Sequence, residues 1–313
     1  MLKFLLAAGV SLLPLMPSAL HAAEPESCRQ VRFSDVGWTD ITSTTSISSI
    51  ILESLGYEPS SIMLSIPVTY ASLKNSEVDV YLGDWEPAMV QDRKPYIEDK
   101  SIVVIGPNLE GAKYTLAVPK AAFDAGVKDF ADLAKFAEKF ERKIYGIEPG
   151  STGNTMIQAM IDKNEFGLKG WELVESSEQG MLTQVDRQIN EDAWIVFLGW
   201  EPHPMNTKYD IAYLSGGDAT FGPNYGGATV FTNIRTGFVA DCPNASRFLQ
   251  NLKFTLTMEN EIMDAILNQG ADPKEAAAAW LKAHPDVIKP WLDGVTTFDG
   301  KPALEAVESA LQG

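Results

Sequence analysis

Three tryptophans with neighbouring carboxylates are the residues whose types and spacing best suit ligand chemistry. Trp85 and Trp200 each end an apolar run in the pattern Leu-Gly-(Asp)-Trp-Glu-Pro, about a hundred residues apart, and Trp38 stands two residues before Asp40 after a third such run. Indole rings present a negative face, so each ring around a desolvated cation contributes about 0.5–2 kcal/mol. A quaternary ammonium ion has no N–H donors and needs no hydrogen-bond acceptors. The pattern therefore predicts an aromatic box for such a cation.

Each of these residues also has a purely structural interpretation. The three tryptophans would serve equally as separate core residues, and Asp40 would serve as the N-cap of a helix starting at Ile41. His203, close to Trp200, is the one histidine near the proposed site, and a lone histidine is more often structural than catalytic. Three further carboxylates flank the tryptophans and would in the simplest case face water: Asp84, Glu86 and Glu201.

The elements that must position these residues alternate between strands and helices. Short apolar runs such as residues 31–36, 78–82 and 195–198 are bounded by turn formers and alternate with segments of helical periodicity. This order predicts a parallel α/β sheet, whose ligands bind where the strands end. Strands at 102–105 and 114–118 are joined by the Gly- and Pro-containing residues 106–111, a candidate crossover between two domains.

Composition narrows the function classes. A chain of 313 residues is long enough for one large or two medium α/β domains, and its net charge of −17 argues against a nucleic-acid partner. The turn after residue 149 lacks the Lys of a phosphate-binding loop, and no Gly-x-Gly-x-x-Gly fingerprint follows a strand, so we expect no nucleotide and no other cofactor. With two cysteines and few histidines, we also expect no metal.

Residues 1–23 have the features of a secretory signal peptide. Lys3 supplies the positive region, an apolar stretch interrupted by prolines follows, and Ala22 and Ala23 precede a polar segment. We therefore expect a soluble, exported protein. In an oxidising compartment, Cys28 and Cys242 are better explained as a disulfide than as two free thiols.

Catalytic motifs are missing from the sequence: it has neither Gly-x-Ser-x-Gly nor His-Glu-x-x-His. We do not expect an enzyme. The rival from another class is an exported enzyme that acts on a quaternary ammonium compound with His203 or a carboxylate as base.

Five segments resemble the choline-binding periplasmic proteins of ABC importers, within the wider group of glycine betaine, choline and carnitine receptors. These segments are residues 33–42, 111–116, 145–150, 174–181 and 197–205. The resemblance implies the two-lobed type II periplasmic binding protein fold, with the ligand in the cleft between lobes. We place lobe one at residues 24–111 and 205–313 and lobe two at 112–204, joined near 109–112 and 204–207.

The resemblance also implies a role for each site residue. Trp38, Trp85, Tyr114 and Trp200 would form the box, Asp40 would bind the choline hydroxyl, and Cys28 and Cys242 stand at the family's disulfide. Ser151 stands where the family's choline receptors have an asparagine that assists at the hydroxyl. Relatives more often show Asn and Met on either side of Trp85, so Asp84 and Glu86 predict a more acidic site that disfavours a ligand carboxylate.

Together these observations predict a monomeric periplasmic receptor that delivers choline to the transmembrane permease of an ABC transporter. Carnitine or glycine betaine is the alternative ligand. Lobe one would contribute Asp40 and two of the tryptophans, and lobe two would contribute Ser151 and the other aromatic residues. The two sets would meet only when the lobes close.

Overall fold

A computed structural model describes residues 23–312. The predicted signal peptide lies outside the described residues, apart from Ala23. The strands are β1 (Gln30–Asp35), β2 (Glu58–Met63), β3 (Val80–Glu86), β4 (Ile102–Pro119), β5 (Lys143–Tyr145), β6 (Glu172–Val174), β7 (Phe197–Glu201), β8 (Ile211–Tyr213) and β9 (Gly227–Arg235). The helices are α1 (Thr39–Ser54), α2 (Ile66–Lys74), α3 (Val90–Glu98), α4 (Lys120–Asp124), α5 (Phe130–Leu133), α6 (Thr152–Asp162), α7 (Glu178–Asn190), α8 (Met205–Lys208), α9 (Asp218–Phe221), α10 (Pro223–Gly226), α11 (Phe238–Asp241), α12 (Pro243–Asn251), α13 (Leu256–Leu267), α14 (Pro273–Ala283), α15 (Ile288–Trp291) and α16 (Ala303–Gln312). Short 3-10 turns occupy Glu26–Cys28, Ala134–Phe136, Glu165–Gly167 and Pro285–Val287.

Two parallel groups of strands are joined through an antiparallel centre. The sheet order is β2-β1-β3-β9-β4-β7-β5-β6, with β8 also on β4. β1 pairs in parallel with β2 and β3, and β5 pairs in parallel with β6 and β7, whereas β4 and β9 run antiparallel to their neighbours. Each parallel group with its helices forms one lobe, so the predicted two-lobed α/β fold is present.

The predicted crossover at residues 106–111 is the middle of one continuous strand. β4 pairs with β9 up to Lys113 and from there with β7. Its register shifts at three places, between Val104 and Gly106, Pro107 and Leu109, and Glu110 and Ala112. Proline and glycine are tolerated at such bulges because the regular ladder is already interrupted there.

The strand pairings bear on where the chain crosses back to lobe one, which the sequence predicts near residues 204–207. β8 pairs with residues 117–119 of β4, in the half of that strand that also pairs with β7. β9 then runs from Gly227, opposite Lys113, to Arg235, opposite Ile102. We therefore propose that the chain returns to lobe one within β9, so that residues 205–226 belong with lobe two.

α1 packs against α13 and α14 in lobe one. Cys28 and Cys242 form the expected disulfide, with their Cα atoms 5.5 Å apart. It ties the segment before β1 to the start of α12. Between residues 23 and 312, no helix is both long and apolar enough to cross a membrane.

Candidate ligand-binding site

Four aromatic residues meet where strands of both lobes end. Trp38 stands between β1 and α1, and Trp85 is the penultimate residue of β3. Tyr114 in β4 and Trp200 in β7 are direct cross-strand partners. The rings of Trp85 and Tyr114, from different strands, have centroids 5.9 Å apart at an angle of 45°. The residues predicted to form the box are thus neighbours in space.

A small cavity lies between these rings. Its volume is about 10 Å³, which is room for about one water molecule, so a larger ligand enters only if the rings move apart. Its walls are Trp38, Asp40, Trp85, Tyr114, Ile147 and Trp200. None of these residues is more than 7% exposed, so a molecule inside would be largely removed from water.

The position of Tyr114 depends on a glycine of α6. A Cβ atom added to Gly153 would lie 2.1 Å from the Tyr114 hydroxyl oxygen and 2.6 Å from Leu198. No side chain fits there unless the Tyr114 ring moves. The first turn of α6 therefore fixes how far this ring extends towards the cavity.

Asp40 is the one charged residue that lines the cavity. It is the second residue of α1, which begins at Thr39 with Trp38 at the N-cap position, so the N-cap interpretation of Asp40 is wrong. The residue is 2% exposed, and its Oδ1 has no hydrogen-bond partner. Burial, and secondarily the charge of Glu178, raise the pKa of Asp40 to about 8. A cation placed beside it would reverse this effect, because an opposite charge favours the carboxylate.

Three other carboxylates interact with Asp40 or with the residues just before it, and in the described part of the chain none has a basic Lys or Arg partner. Burial raises the pKa of Glu148, and burial together with the Asp40 charge raises that of Glu259 well above its usual value. Glu178 has only His203 within ion-pair distance. Over residues 23–312, no Lys or Arg forms an ion pair with Asp40 or with these three glutamates.

The carboxylates on either side of Trp85 do not supply this negative charge. Asp84 is fully buried and forms an ion pair with Arg93, and its Oδ1 accepts a hydrogen bond of 3.1 Å from Tyr70. Glu86 pairs with the same guanidinium. Asp84 therefore does not face water, and Arg93 offsets the acidity that the sequence suggested for this strand end.

Ser151 lies behind the cavity walls rather than among them. It is 1% exposed and caps α6, where its Oγ accepts a bond of 3.3 Å from the backbone N–H of Asn154. The Asn154 side chain binds both backbone polar groups of Ile147 and the carbonyl of Glu148. The turn thus positions Ile147 at the cavity, and a ligand contact of Ser151 stays a prediction.

The lobes are closed over the cavity and joined by side-chain hydrogen bonds. Trp38 donates from Nε1 to Oε1 of Glu148 at 3.0 Å. Thr39 donates from its backbone N–H and from Oγ1 to Glu178 at 2.8 and 2.9 Å. On another side, Thr152 donates to Asp92 at 2.6 Å. Because the three bonds from Trp38 and Thr39 involve the residues just before Asp40, closure and the cavity are directly connected.

Sequence reasoning missed three residues of this site: Ile147, Glu148 and Glu178. All three lie in segments that carry the family resemblance, but no local pattern distinguishes a carboxylate that crosses a cleft from one that faces water. His203 is 1% exposed and bonded to Glu178 and to the backbone of Met205, and it does not line the cavity. No group of three or more metal-ligating side chains occurs in the part of the chain described.

Comparison with known proteins supports a binding function. Residues 29–283 match the OpuAC family model, described as the substrate-binding domain of ABC-type glycine betaine transport systems. A solved ABC-transporter choline-binding protein in complex with choline is 59% identical, with a TM-score of 0.91 over 92% of this chain and 100% of that one. An unliganded, semi-closed choline-binding protein of the same kind is also 59% identical, with a TM-score of 0.84 over 91% and 99% of the two chains.

A curated relative extends the comparison to other ligands. The glycine betaine/carnitine transport binding protein GbuC of Listeria monocytogenes is 32% identical over 163 residues, 52% of this chain and 53% of that protein. The match thus spans about half of each chain. All these proteins are substrate-binding proteins rather than enzymes.

Proposed function

This chain belongs to the OpuAC family of substrate-binding domains of ABC-type glycine betaine transport systems, and from that premise we propose that it captures choline for import. Choline would lie between the lobes with its trimethylammonium group between the rings of Trp38, Trp85, Tyr114 and Trp200, which would move apart to admit it. The 59% identity to a protein solved with choline supports this choice of ligand.

The observation that carries the proposal is the state of Asp40. A buried carboxylate has one oxygen without a hydrogen-bond partner, and it lines a cavity with four aromatic walls. An unpaired buried charge is costly, and pairing with a cation and a hydroxyl donor removes that cost. Choline supplies both groups within one small molecule. The Asp40 carboxylate would accept a hydrogen bond from the ligand hydroxyl while the rings surround the ammonium group.

The same charges favour choline over carnitine and glycine betaine. Both alternatives carry a carboxylate, which would enter a cavity that Glu148 and Glu178 approach without any compensating Lys or Arg. Like charges brought close together repel strongly in a desolvated site. Ser151, which sits behind the wall, would act on the hydroxyl end of the ligand only through a small shift or a bridging water.

The remaining parts of the proposal concern transport. The protein would work in the periplasm after removal of residues 1–23 and would present its closed form to a transmembrane permease. Closure buries the ligand between residues of both lobes, so the closed form would report an occupied cavity to the permease.

Isothermal titration calorimetry with choline, glycine betaine and carnitine tests the ligand. We expect choline to bind at least about a hundredfold more tightly than either zwitterion. Choline binding no tighter than millimolar, combined with tight binding of carnitine, would contradict the proposal. Recovery of unchanged choline by NMR after prolonged incubation would exclude the enzyme alternative, and His203 is not in a position to act as a base because both of its nitrogens are already bonded.

A further inference from the structure

Glu178 joins the two lobes at the residue between Trp38 and Asp40. It is the first residue of α7 in lobe two, and it is 1% exposed. Its Oε2 accepts two hydrogen bonds from Thr39, and its Oε1 accepts one from Nε2 of His203 at 2.8 Å. This side chain therefore holds the start of α1, which carries two cavity residues, against the second lobe.

The tautomer of His203 follows from a third contact. The backbone N–H of Met205 donates to Nδ1 of His203 at 2.9 Å, so that nitrogen carries no proton. The proton of the neutral ring is then on Nε2 and is donated to Oε1 of Glu178. The His203 ring also lies edge-on to Trp200, with centroids 4.9 Å apart. One connected chain of contacts thus runs from a box wall in lobe two to the Trp38–Asp40 segment in lobe one.

The charge of Glu178 is not neutralised inside the protein. A neutral histidine is its partner, in contrast to Asp84, which pairs with Arg93. The negative charge of Glu178 contributes to raising the pKa of Asp35, Asp40 and Glu148. Asp40 lines the cavity, and Asp35, Glu148 and Glu259 each interact electrostatically with Glu178 or with Asp40. Closing an empty cavity therefore brings buried negative charges together.

We propose that Glu178 makes lobe closure depend on the positive charge of the ligand. Its two hydrogen bonds from Thr39 stabilise the closed form, but its charge penalises closure unless a cation fills the cavity. The proposal rests on the proposed function and adds to it a positioning residue that does not line the cavity. A ligand with the shape of choline but no charge would fit between the rings and leave the penalty in place.

The neutral carbon isostere of choline, 3,3-dimethyl-1-butanol, separates shape from charge. Donor and acceptor dyes on the two lobes of the wild-type protein would report closure at saturation with each ligand. We expect full closure with choline and a largely open protein with the isostere. Closure by the isostere to the same extent as by choline would overturn the proposal, and this measurement needs no variant of the site.

Glu178→Gln tests the residue itself. The amide keeps the shape but has no charge, and its NH2 group meets the protonated Nε2 of His203, where an acceptor is needed. We expect the ratio of choline affinity to isostere affinity, measured by calorimetry, to fall by about tenfold or more. Thr152→Val is the matched control, because it removes the cross-lobe bond to Asp92 and keeps every charge. It should lower both affinities by the same factor.

The outcomes separate this inference from the function it rests on. Absence of choline binding to the wild-type protein would contradict the proposed function. Tight choline binding with an unchanged affinity ratio in a folded Glu178→Gln variant, checked by thermal unfolding, would overturn only the role of Glu178. A fall in the ratio that Thr152→Val does not reproduce would support it.

Discussion

Replacing Asp40 by Asn removes the one charged group that lines the cavity and changes little else in size. Two unit charges 4 Å apart interact by about 4 kcal/mol at an effective dielectric constant of about 20. The amide oxygen of Asn still accepts a bond from a ligand hydroxyl, so part of the interaction survives. We expect Asp40→Asn to weaken choline binding by about 2–4 kcal/mol, or about 30- to 1,000-fold.

The same substitution should stabilise the unliganded closed protein. The pKa of Asp40 rises from 3.8 to about 8 in this structure. A carboxyl whose pKa is raised in the folded state binds more protons there than in the unfolded state, so stability is lost as pH rises from about 4 to about 8. Asn has no such cost. Thermal unfolding without ligand should therefore show a higher Tm for Asp40→Asn at pH 8, with a smaller difference at pH 5.

Calorimetry with choline at pH 7.5 measures the loss of affinity, and Glu201→Gln is the matched control. Glu201 adjoins Trp200, but its carboxylate is 30% exposed and pairs with Lys113 at 3.2 Å outside the cavity. The choline affinity of Glu201→Gln should stay within about threefold of wild type, because exposed ion pairs contribute little free energy. If Asp40→Asn bound choline within threefold of wild type, the electrostatic reasoning would be refuted.

Three further outcomes follow from the structure. Gly153→Ala should weaken choline binding at least about tenfold, because the added Cβ would lie 2.1 Å from the Tyr114 hydroxyl oxygen. Circular dichroism should show that the fold is intact, and an unchanged affinity would show that the ring adjusts freely. Replacing Cys28 and Cys242 by Ser should lower the free energy of unfolding by about 2–5 kcal/mol in a urea titration. Choline affinity should stay within about twofold of wild type, since neither residue lines the cavity. A large loss of affinity would contradict this expectation. Without ligand, the closed fraction measured by the inter-lobe dyes should rise as pH falls from 8 to 5.5. Closure raises the pKa of Asp40 to about 8, so the closed form takes up the proton. A closed fraction that does not change with pH, or that changes equally in Asp40→Asn, would contradict the role of Asp40.

Much of the architecture could be predicted from local patterns. Alternating apolar runs and helical periodicities predict the α/β class, because each element must bury one face or one stripe. The position of the second crossing between lobes has no comparable local pattern. Residues 211–213 have the composition of a strand in either lobe, and their pairing with residues 117–119 of β4 supports our proposal that they belong with lobe two.

Charge around the site shows the same division. The sequence places Asp84 and Glu86 beside Trp85, and their number alone predicts an acidic site. The fold brings Arg93 from α3 onto both carboxylates, while Glu148 and Glu178 reach the Trp38–Asp40 segment from the other lobe. Net charge at a site depends on which groups are neutralised, and partners separated by many residues leave no local signal.

The sequence by itself determined which residue types are available: three tryptophans at strand ends, a carboxylate two residues after the first of them, and a pair of cysteines. These are local or compositional features, so they can be recognised without coordinates. The tertiary structure decided which carboxylates stay uncompensated and that Glu178 connects the lobes beside Asp40. Those outcomes depend on contacts between residues far apart in the sequence. Trp38 and Glu148 are 110 residues apart, and Thr39 and Glu178 are 139 residues apart. Such contacts form only when the two folded lobes close on one another.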